Sequence, residues 1–208
     1  MKAYYQDLIT QQSWLLLQKL QKQINFILVG GWAVFLHTNG LKSKDIDIMI
    51  DYQELSKIKE RFVVNKNQRL LKYEIKQEGI DVDIYLPHYS NLGIPVEELI
   101  KYHETIAGYR VLKKEALLIS KQTAYQARRV SVKGQKDLID IFSLIMLADF
   151  DFVLCWNLLK QFGLEKHWQE LNNLLKNTKS IMELGSTVHS FKKQKDLILN
   201  KLQKVKKS

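Results

Sequence analysis

The sequence predicts an α+β fold in which a small mixed β-sheet flanked by helices is followed by a C-terminal helical bundle. Up to about residue 112, short apolar runs alternate with turn residues, and both prolines of the chain, Pro87 and Pro95, lie in this part. Beyond it, apolar residues recur at helical spacing. We therefore expect an α/β domain with an N-terminal helix over residues 1–112 and a helical region over residues 113–208.

Spacing and turn residues predict the elements of the first domain. A helix is expected over residues 3–23, because Leu8, Leu15 or Leu16, and Leu20 recur at helical spacing. Apolar runs bounded by turn residues predict strands, and Glu78-Gly79 predicts the turn of an antiparallel pair. The further elements are a strand at 25–29, a helix at 31–37, a strand at 45–50, a helix at 52–61, strands at 69–76 and 80–86, a short helix at 97–101 and a hairpin at 104–112.

The second domain is predicted to be helical throughout. Its apolar residues follow the helical period in five successive stretches, with no clear linker and no internal repeat. The predicted helices run over residues 113–129, 134–147, 151–162, 165–177 and 179–206.

Composition limits the class of protein. The single cysteine, Cys155, excludes an internal disulfide framework and is typical of a reducing compartment. The first twenty residues lack the order of a signal peptide. No uninterrupted apolar run reaches the length of about 20 residues that a membrane span requires. We therefore expect a cytoplasmic protein that makes no membrane contact.

Positive charge is concentrated near the C-terminal end. The net charge is +10, and residues 192–208 contain seven lysines against the single acid Asp196. Such a segment attracts polyanions such as RNA, or acidic protein partners. The alternative is a solvated end that only aids solubility, and the sequence leaves both open.

Carboxylates within two strand-like segments indicate a metal site. Asp45 and Asp47 alternate with isoleucines, so both carboxylates point to one face of the strand. Asp83, flanked by Val82 and Ile84, supplies a third carboxylate from a later strand. Like charges this close resist joint ionisation, whereas Mg²⁺ prefers such oxygen ligands. Three carboxylates can hold two metal ions in the arrangement suited to phosphoryl transfer. Asp81 shares the face of Asp83 by parity and competes with it for the third position.

Two glycines precede these acids. Gly30-Gly31 ends the apolar run 26–29 and begins a helix-like stretch. Backbone amides at a helix N-terminus attract phosphate, and the missing side chains allow close approach. Alone, the pair is more often an ordinary turn. Together with the acids, it indicates a nucleotide-phosphate site.

The combined pattern resembles the nucleotidyltransferase superfamily with the polymerase-β-like fold. The family motif has a hydrophobic residue and two small residues, then an acid pair on a strand, then a third acid on a later strand. The small prokaryotic members, including the minimal nucleotidyltransferases and the abortive-infection toxin type, are the most similar. The matching segments are Val29-Gly30-Gly31, Lys42-Ser43-Lys44, Asp45-Ile46-Asp47-Ile48, Val82-Asp83-Ile84, Lys121, Arg128-Arg129 and Lys136-Asp137-Leu138-Ile139-Asp140. The resemblance covers roughly residues 25–147.

The resemblance implies roles for these residues. Asp45 and Asp47 would bind two Mg²⁺ ions, with Mn²⁺ as an alternative metal, and Asp83 would bind one ion and take the proton from the acceptor hydroxyl. The glycines Gly30 and Gly31 would contact the β- and γ-phosphates of an NTP. The phosphates would also be contacted by Ser43, Lys44 and Lys121.

The resemblance also implies a reaction, in which a nucleoside monophosphate passes from an NTP to an acceptor hydroxyl and pyrophosphate is released. The basic tail favours RNA, such as tRNA, or a protein as acceptor, and the toxin-type relatives suggest an antitoxin-like partner and a toxin–antitoxin or defence role. A small-molecule acceptor, as in antibiotic modification, is the enzymatic alternative. A non-catalytic nucleotide-binding or interaction module is the other.

Two further residues of the helical region allow a simpler interpretation. Lys136 and Asp140 are four residues apart, which is the spacing of an ordinary salt bridge on a helix. Asp137 could instead cap or brace its helix.

Overall fold

The structure, a computed structural model, describes residues 2–185 and 187–207, with the side chains of residues 2–6 and 207 left out. The chain divides into two compact units, residues 1–113 and residues 114–208. The first combines a sheet with helices, and the second is helical. The predicted α+β class, with a mixed sheet flanked by helices and a helical part after it, is confirmed.

The first unit is built on a seven-stranded mixed sheet with strand order β3-β4-β5-β2-β1-β7-β6. The pairs β1–β7 and β2–β5 are parallel, and the other neighbouring strands are antiparallel. In chain order, the elements are α1 (Lys2–Gln21), β1 (Ile27–Val29), α2 (Gly30–Thr38), β2 (Ile46–Met49), α3 (Tyr52–Lys59), β3 (Asn65–Asn67), β4 (Lys72–Gln77), β5 (Ile80–Tyr85), α4 (Val96–Leu99), β6 (His103–Ile106) and β7 (Tyr109–Leu112).

Packing between α1 and α2 stabilises this unit. Trp32, in the first turn of α2, is 1% exposed, and its Nε1 donates a hydrogen bond of 2.9 Å to Ser13 Oγ on α1. Its ring centroid lies 4.9 Å from that of Trp14. A buried indole N–H needs such a partner. Trp32 therefore packs α2 against α1, and this packing holds α2 in place after the end of β1.

Strand β3 was not expected from the sequence. Its three residues, Asn65–Asn67, are polar, so they carry no apolar alternation, and they form the edge of the sheet beside β4. The predicted strand over 69–76 begins only at Lys72, because residues 68–71 form the turn that joins β3 to β4. Gly79 (φ 78°) and Glu78 (φ 53°) form the predicted turn between β4 and β5.

The second unit contains α5 (Lys114–Arg128), α6 (Val132–Ile145), α7 (Phe152–Gln161), α8 (Glu165–Asn177), a 3₁₀ turn at Met182–Leu184, and α9 (Val188–Lys207). Side-chain caps begin two of the helices: Ser131 accepts from Gly134 N, and Asp151 accepts from Val153 N and Leu154 N.

The single helix predicted over residues 179–206 is wrong in its first part. Gly185 has a left-handed backbone (φ 63°) that ends the 3₁₀ turn, and α9 begins at Val188. Among the helices that the structure describes, none combines the length and apolar character needed to cross a membrane.

Candidate functional site

Asp47 and Asp83 lie directly opposite each other on the two central strands β2 and β5. The parallel register pairs Asp47 with Asp83 and Ile48 with Ile84. The isoleucines on either side of Asp47 are buried, whereas Asp47 and Asp83 are only half-buried. Residues paired in a sheet project to the same face. The two carboxylates therefore share the face that is partly open to water.

Strand β4 adds a third carboxylate and a cation to this face. Glu74 pairs in register with Asp83 from the other side. The ammonium of Lys72 lies 2.5 Å from Asp83 Oδ2 and 3.0 Å from Glu74 Oε1, and its side chain is 12% exposed. Sequence reasoning missed both residues. The signal was present, because the predicted turn at Glu78-Gly79 sets the register that pairs Glu74 with Asp83.

The electrostatics of Asp83 are unfavourable for its charged form. Burial and the nearby carboxylate of Asp47 raise the pKa of Asp83 to about 6, although Lys72 acts in the opposite direction. Burial lowers the pKa of Lys72, but its hydrogen bonds with Asp83 and Glu74 outweigh burial, so the pKa is raised and the ammonium stays charged. A further cation between Asp47 and Asp83 would stabilise the charged form of Asp83.

The register distinguishes the two candidates for the third acid. Asp81 pairs in register with Lys76, its side chain is 62% exposed, and it lies 4.0 Å from the Lys76 ammonium. Asp83, and not Asp81, lies opposite Asp47. Asp47 Oδ1 accepts a hydrogen bond of 3.3 Å from the hydroxyl of Tyr85. The geometry therefore brings Asp83 and Asp47 together. Tyr85, two residues after Asp83 and on the same face of β5, holds the Asp47 carboxylate through its hydroxyl.

Asp45, Ser43 and Lys44 lie in the segment just before β2. Asp45 is half-buried in a bend, Ser43 is buried at 4% exposure, and Lys44 is exposed. All three belong to the first unit and lead directly into the strand that carries Asp47. Their predicted contacts with metal and nucleotide stay predictions.

Gly30 is required by its closeness to Asp47. Its φ is +68°, and a Cβ built on it would lie 2.7 Å from the Asp47 Cβ and nearer still to the carboxyl group. Real Cβ atoms essentially never come this close. Helix α2 begins at Gly30, and its N-cap, Val29, makes no side-chain cap hydrogen bond. The amides of the first helical turn thus begin beside a carboxylate, where a bridging cation and a phosphate could be held together.

Lys121 belongs to the second unit. It is 8% exposed, and its ammonium lies 2.7 Å from Asp140 Oδ2 and 3.5 Å from Asp137 Oδ1. Asp140 is thus paired with Lys121 across α5 and α6, and its predicted salt bridge with Lys136 stays a prediction. The predicted contact of Lys121 with phosphate stays a prediction.

The carboxylates of the first unit fit a divalent cation by their chemistry. Carboxylate oxygens are the ligands that Mg²⁺ prefers, and Asp47 and Asp83 present them from adjacent strands. Across residues 2–185 and 187–207, however, no group of three or more His, Cys, Asp or Glu side chains is arranged to hold a metal ion. The two-metal site therefore stays a prediction, and Lys72 is the cation that contacts Asp83 in this structure.

Comparison with known proteins gives likenesses of structure. No protein-family model matches this sequence, and no curated protein matches it. Among solved structures, the chain is similar to a protein from H. pylori provisionally called a nucleotidyltransferase, at 17% identity and a TM-score of 0.48, covering 89% of this chain and 91% of that one.

Two further solved structures are similar. One is an antigenic nucleotidyltransferase-like protein from Paracoccidioides brasiliensis, at 18% identity and a TM-score of 0.43, covering 82% of this chain and 93% of that one. The other is ANT(2″)-Ia in complex with adenylyl-2″-tobramycin, at 12% identity and a TM-score of 0.46, covering 81% and 97%. At these TM-scores, the likenesses assign no activity and no residue role to this chain.

Proposed function

We propose that the first unit catalyses transfer of a nucleoside monophosphate from an NTP to an acceptor hydroxyl, with release of pyrophosphate. The observation that carries this proposal is the direct opposition of Asp47 and Asp83, with Gly30 packed against Asp47. Opposed acids are costly without a cation, and a cation between acids beside a glycine-led helix start suits a nucleoside triphosphate. The sequence motif that resembles nucleotidyltransferases supports the same reaction.

The reaction exchanges a phosphoanhydride bond of the NTP for a phosphoester bond to the acceptor. The acceptor oxygen forms a bond to the α-phosphorus, the bond from that phosphorus to the oxygen bridging to the β-phosphate breaks, and pyrophosphate leaves with that oxygen. The proton of the acceptor hydroxyl passes to a carboxylate oxygen of Asp83.

The remaining roles at the site are to bind Mg²⁺ and to bind and orient the phosphates of the NTP. Asp45, Asp47 and Asp83 would hold Mg²⁺, which would neutralise charge on the phosphate oxygens when bound. The backbone amides at Gly30 and Gly31 would bind the β- and γ-phosphates, with Ser43 and Lys44 close in sequence to β2 as further contacts. Tyr85 holds Asp47 through its hydroxyl. Most of the rate enhancement would come from positioning and charge stabilisation.

The acceptor is proposed to be RNA. Among the described side chains of α9, five lysines are exposed, and exposed cations suit a phosphate backbone. They are Lys192, Lys193, Lys201, Lys204 and Lys206. A protein acceptor, a small-molecule acceptor and an antitoxin-like partner are the alternatives that the experiment below distinguishes.

The test is incubation of the full chain with α-labelled NTPs, Mg²⁺, total RNA and cell protein. Label in RNA together with pyrophosphate release supports the proposal. Label in protein would move the acceptor to a protein, and label in an added aminoglycoside would move it to a small molecule. Tight NTP binding without pyrophosphate release under any condition would contradict the enzymatic function and favour a binding module.

Two variants locate the activity. Asp47→Asn should abolish transfer, whereas Asp81→Asn, on the strand and face of Asp83 but 62% exposed, should retain it. Retained activity in Asp47→Asn would remove the site assignment.

A further inference from the structure

Lys72 contacts the candidate metal ligand Asp83 at short range and at a partly buried position. Its ammonium lies 2.5 Å from Asp83 Oδ2, and the two side chains are 12% and 19% exposed. A lysine ammonium is a compact point charge on a flexible stem. Bound to a partly buried carboxylate, it supplies the positive charge that a divalent cation would otherwise supply.

Lys72 also has a second acceptor at hand. Its ammonium lies 3.0 Å from Glu74 Oε1, and Glu74 is the more exposed of the two acids, at 35%. Glu74 is held in place by Asn67, whose Nδ2 donates a hydrogen bond of 2.9 Å to the same oxygen. If Lys72 leaves Asp83, it therefore keeps a charged partner on its own strand. The stem needs only a change of rotamer for this, because residues 72 and 74 share one face of β4.

The oxygen that Lys72 contacts is one that a cation at this site would need. A carboxylate oxygen that accepts a short, charge-assisted hydrogen bond must give it up to bind a metal ion. Asp83 lies on β5, between Lys72 on β4 and Asp47 on β2, so removal of the Lys72 ammonium leaves two opposed carboxylates. If a divalent cation replaces the Lys72 ammonium, the Asp83 carboxylate has a positively charged partner both before and after the exchange.

We propose that Lys72 is an internal counter-ion that the divalent cation must displace from Asp83, so that Lys72 sets the metal concentration at which the site is loaded. This inference rests on the metal-dependent function proposed above. In the unloaded protein, the ammonium neutralises Asp83. On loading, it moves to Glu74 and leaves Asp83 to the metal. Lys72 is therefore a positioning residue for the site, and not a residue that contacts the reacting atoms.

The first experiment measures Mn²⁺ binding to the full chain by calorimetry at fixed neutral pH without nucleotide. Lys72→Met should bind Mn²⁺ roughly 10- to 100-fold more tightly than the wild type, the scale of one charge-assisted hydrogen bond. Lys76→Met is the matched control, since Lys76 lies on the same strand and face but is 73% exposed and 4.0 Å from Asp81. Its affinity should equal that of the wild type. Equal or weaker binding by Lys72→Met, or no Mn²⁺ binding by either protein, would overturn the inference.

The second experiment uses the unmodified protein, so it does not depend on the folding of a variant. Lysines are acylated with a small reagent in a brief pulse, with and without saturating Mg²⁺, and each site is quantified by peptide mass spectrometry. Lys72 should be acylated several-fold faster with Mg²⁺, because displacement exposes it, while Lys76 should be unchanged. An unchanged or slower rate at Lys72 would contradict the displacement.

The two proposals can fail separately. Tighter Mn²⁺ binding in Lys72→Met without transfer to any acceptor would support the counter-ion role of Lys72 and contradict the proposed enzymatic function. Transfer by the wild type with unchanged Mn²⁺ affinity in Lys72→Met would support the proposed enzymatic function and contradict the counter-ion role of Lys72.

Discussion

The first and second units each hold a cluster of carboxylates and cations, and the two clusters differ in the exposure of their carboxylates and in the number of cations that contact them. In the first, the single ammonium of Lys72 contacts both Asp83 and Glu74, whose side chains are 19% and 35% exposed. In the second, Asp137 and Asp140 are 2% and 1% exposed. Two hydrogen bonds from Arg128 reach Asp137, and Lys121 pairs with Asp140.

The difference indicates what each cluster does. Arg128 binds Asp137 through Nε at 2.7 Å and through a second nitrogen at 3.0 Å, which is the bidentate geometry of a strong, fixed pair. This cluster joins α5 to α6 and its two carboxylates are buried, so it suits a structural brace. The cluster of the first unit is half-open and leaves Asp83 with a raised pKa, so it suits a ligand.

The largest effect is expected from Asp83→Asn. Transfer activity should fall by roughly 10²- to 10³-fold or more, because the proton acceptor and a metal ligand are lost together. Stability should be unchanged or higher at neutral pH without metal, since burial and Asp47 disfavour the charged form of Asp83. Pyrophosphate release and denaturant unfolding measure the two quantities. A clear loss of stability would make Asp83 a structural residue like those of the second unit.

The reverse pattern is expected for Lys121→Met. Asp140, at 0% exposure, would lose the cation that lies 2.7 Å from it, and breaking a buried ion pair costs about 3–5 kcal/mol. The free energy of unfolding from urea titration measures this cost. Replacing Asp140 by Leu in the same variant should recover much of it, because no buried charge is then left uncompensated.

A control separates this effect from the loss of any lysine. Lys176→Met, at an exposed position of α8, should change the free energy of unfolding by no more than about 0.5 kcal/mol. An undiminished stability in Lys121→Met would contradict the brace and strengthen the predicted phosphate contact of Lys121.

A smaller effect is expected from Gly30→Ala, with Gly79→Ala as the matched control. Both glycines have a positive φ, +68° and +78°, but a Cβ on Gly79 would meet nothing within 4 Å. The control should therefore lose about 1–2 kcal/mol of stability from backbone strain alone. Gly30→Ala should lose more and should also lose transfer activity, because its Cβ displaces Asp47. Equal losses of stability with activity kept would show that the approach of Gly30 to Asp47 is unimportant.

The smallest effect is a pH dependence in the second unit. Burial lowers the pKa of His167, so the folded protein binds this proton less readily than the unfolded chain. The stability that neutral His167 contributes is complete above the unfolded value of about 6.5 and is lost as the pH falls toward the folded pKa. His167→Gln should flatten the decline of stability between pH 7.5 and 5, measured by thermal unfolding. His189→Gln, at an exposed position, should leave the decline as in the wild type.

How far the site could be predicted depends on the range of the interaction. Alternation along a single strand predicted one face for Asp45 and Asp47 and buried positions for the isoleucines beside them, which needs no knowledge of neighbouring strands. The pairing of Asp47 with Asp83 needed the register of β2 against β5. Lys72 and Glu74 required the register of β4 against β5, which the sequence indicated only through the turn at Glu78-Gly79. The strand β3 was missed because its polar residues have no apolar period.

The helical unit shows the same limit. Spacing along the chain predicted α5 to α8, but not which of the nearby cations would pair with Asp140. The helical spacing of Lys136 and Asp140 predicted one pair, whereas the contact of Lys121 with Asp140 depends on how α5 packs against α6. The start of α9 was placed too early, since a left-handed glycine at residue 185 interrupts a segment that otherwise has helical composition.

The order of the elements apart from β3, and the change from mixed to helical architecture, were determined by the sequence alone, because each depends on local periodicity. Only the tertiary structure decided the opposition of Asp47 to Asp83, the contact of Lys72 with Asp83 and the ion pairs of the buried Asp137. Each of these requires atoms far apart in the chain to come within a few ångströms, and burial then gives the resulting charges their effect.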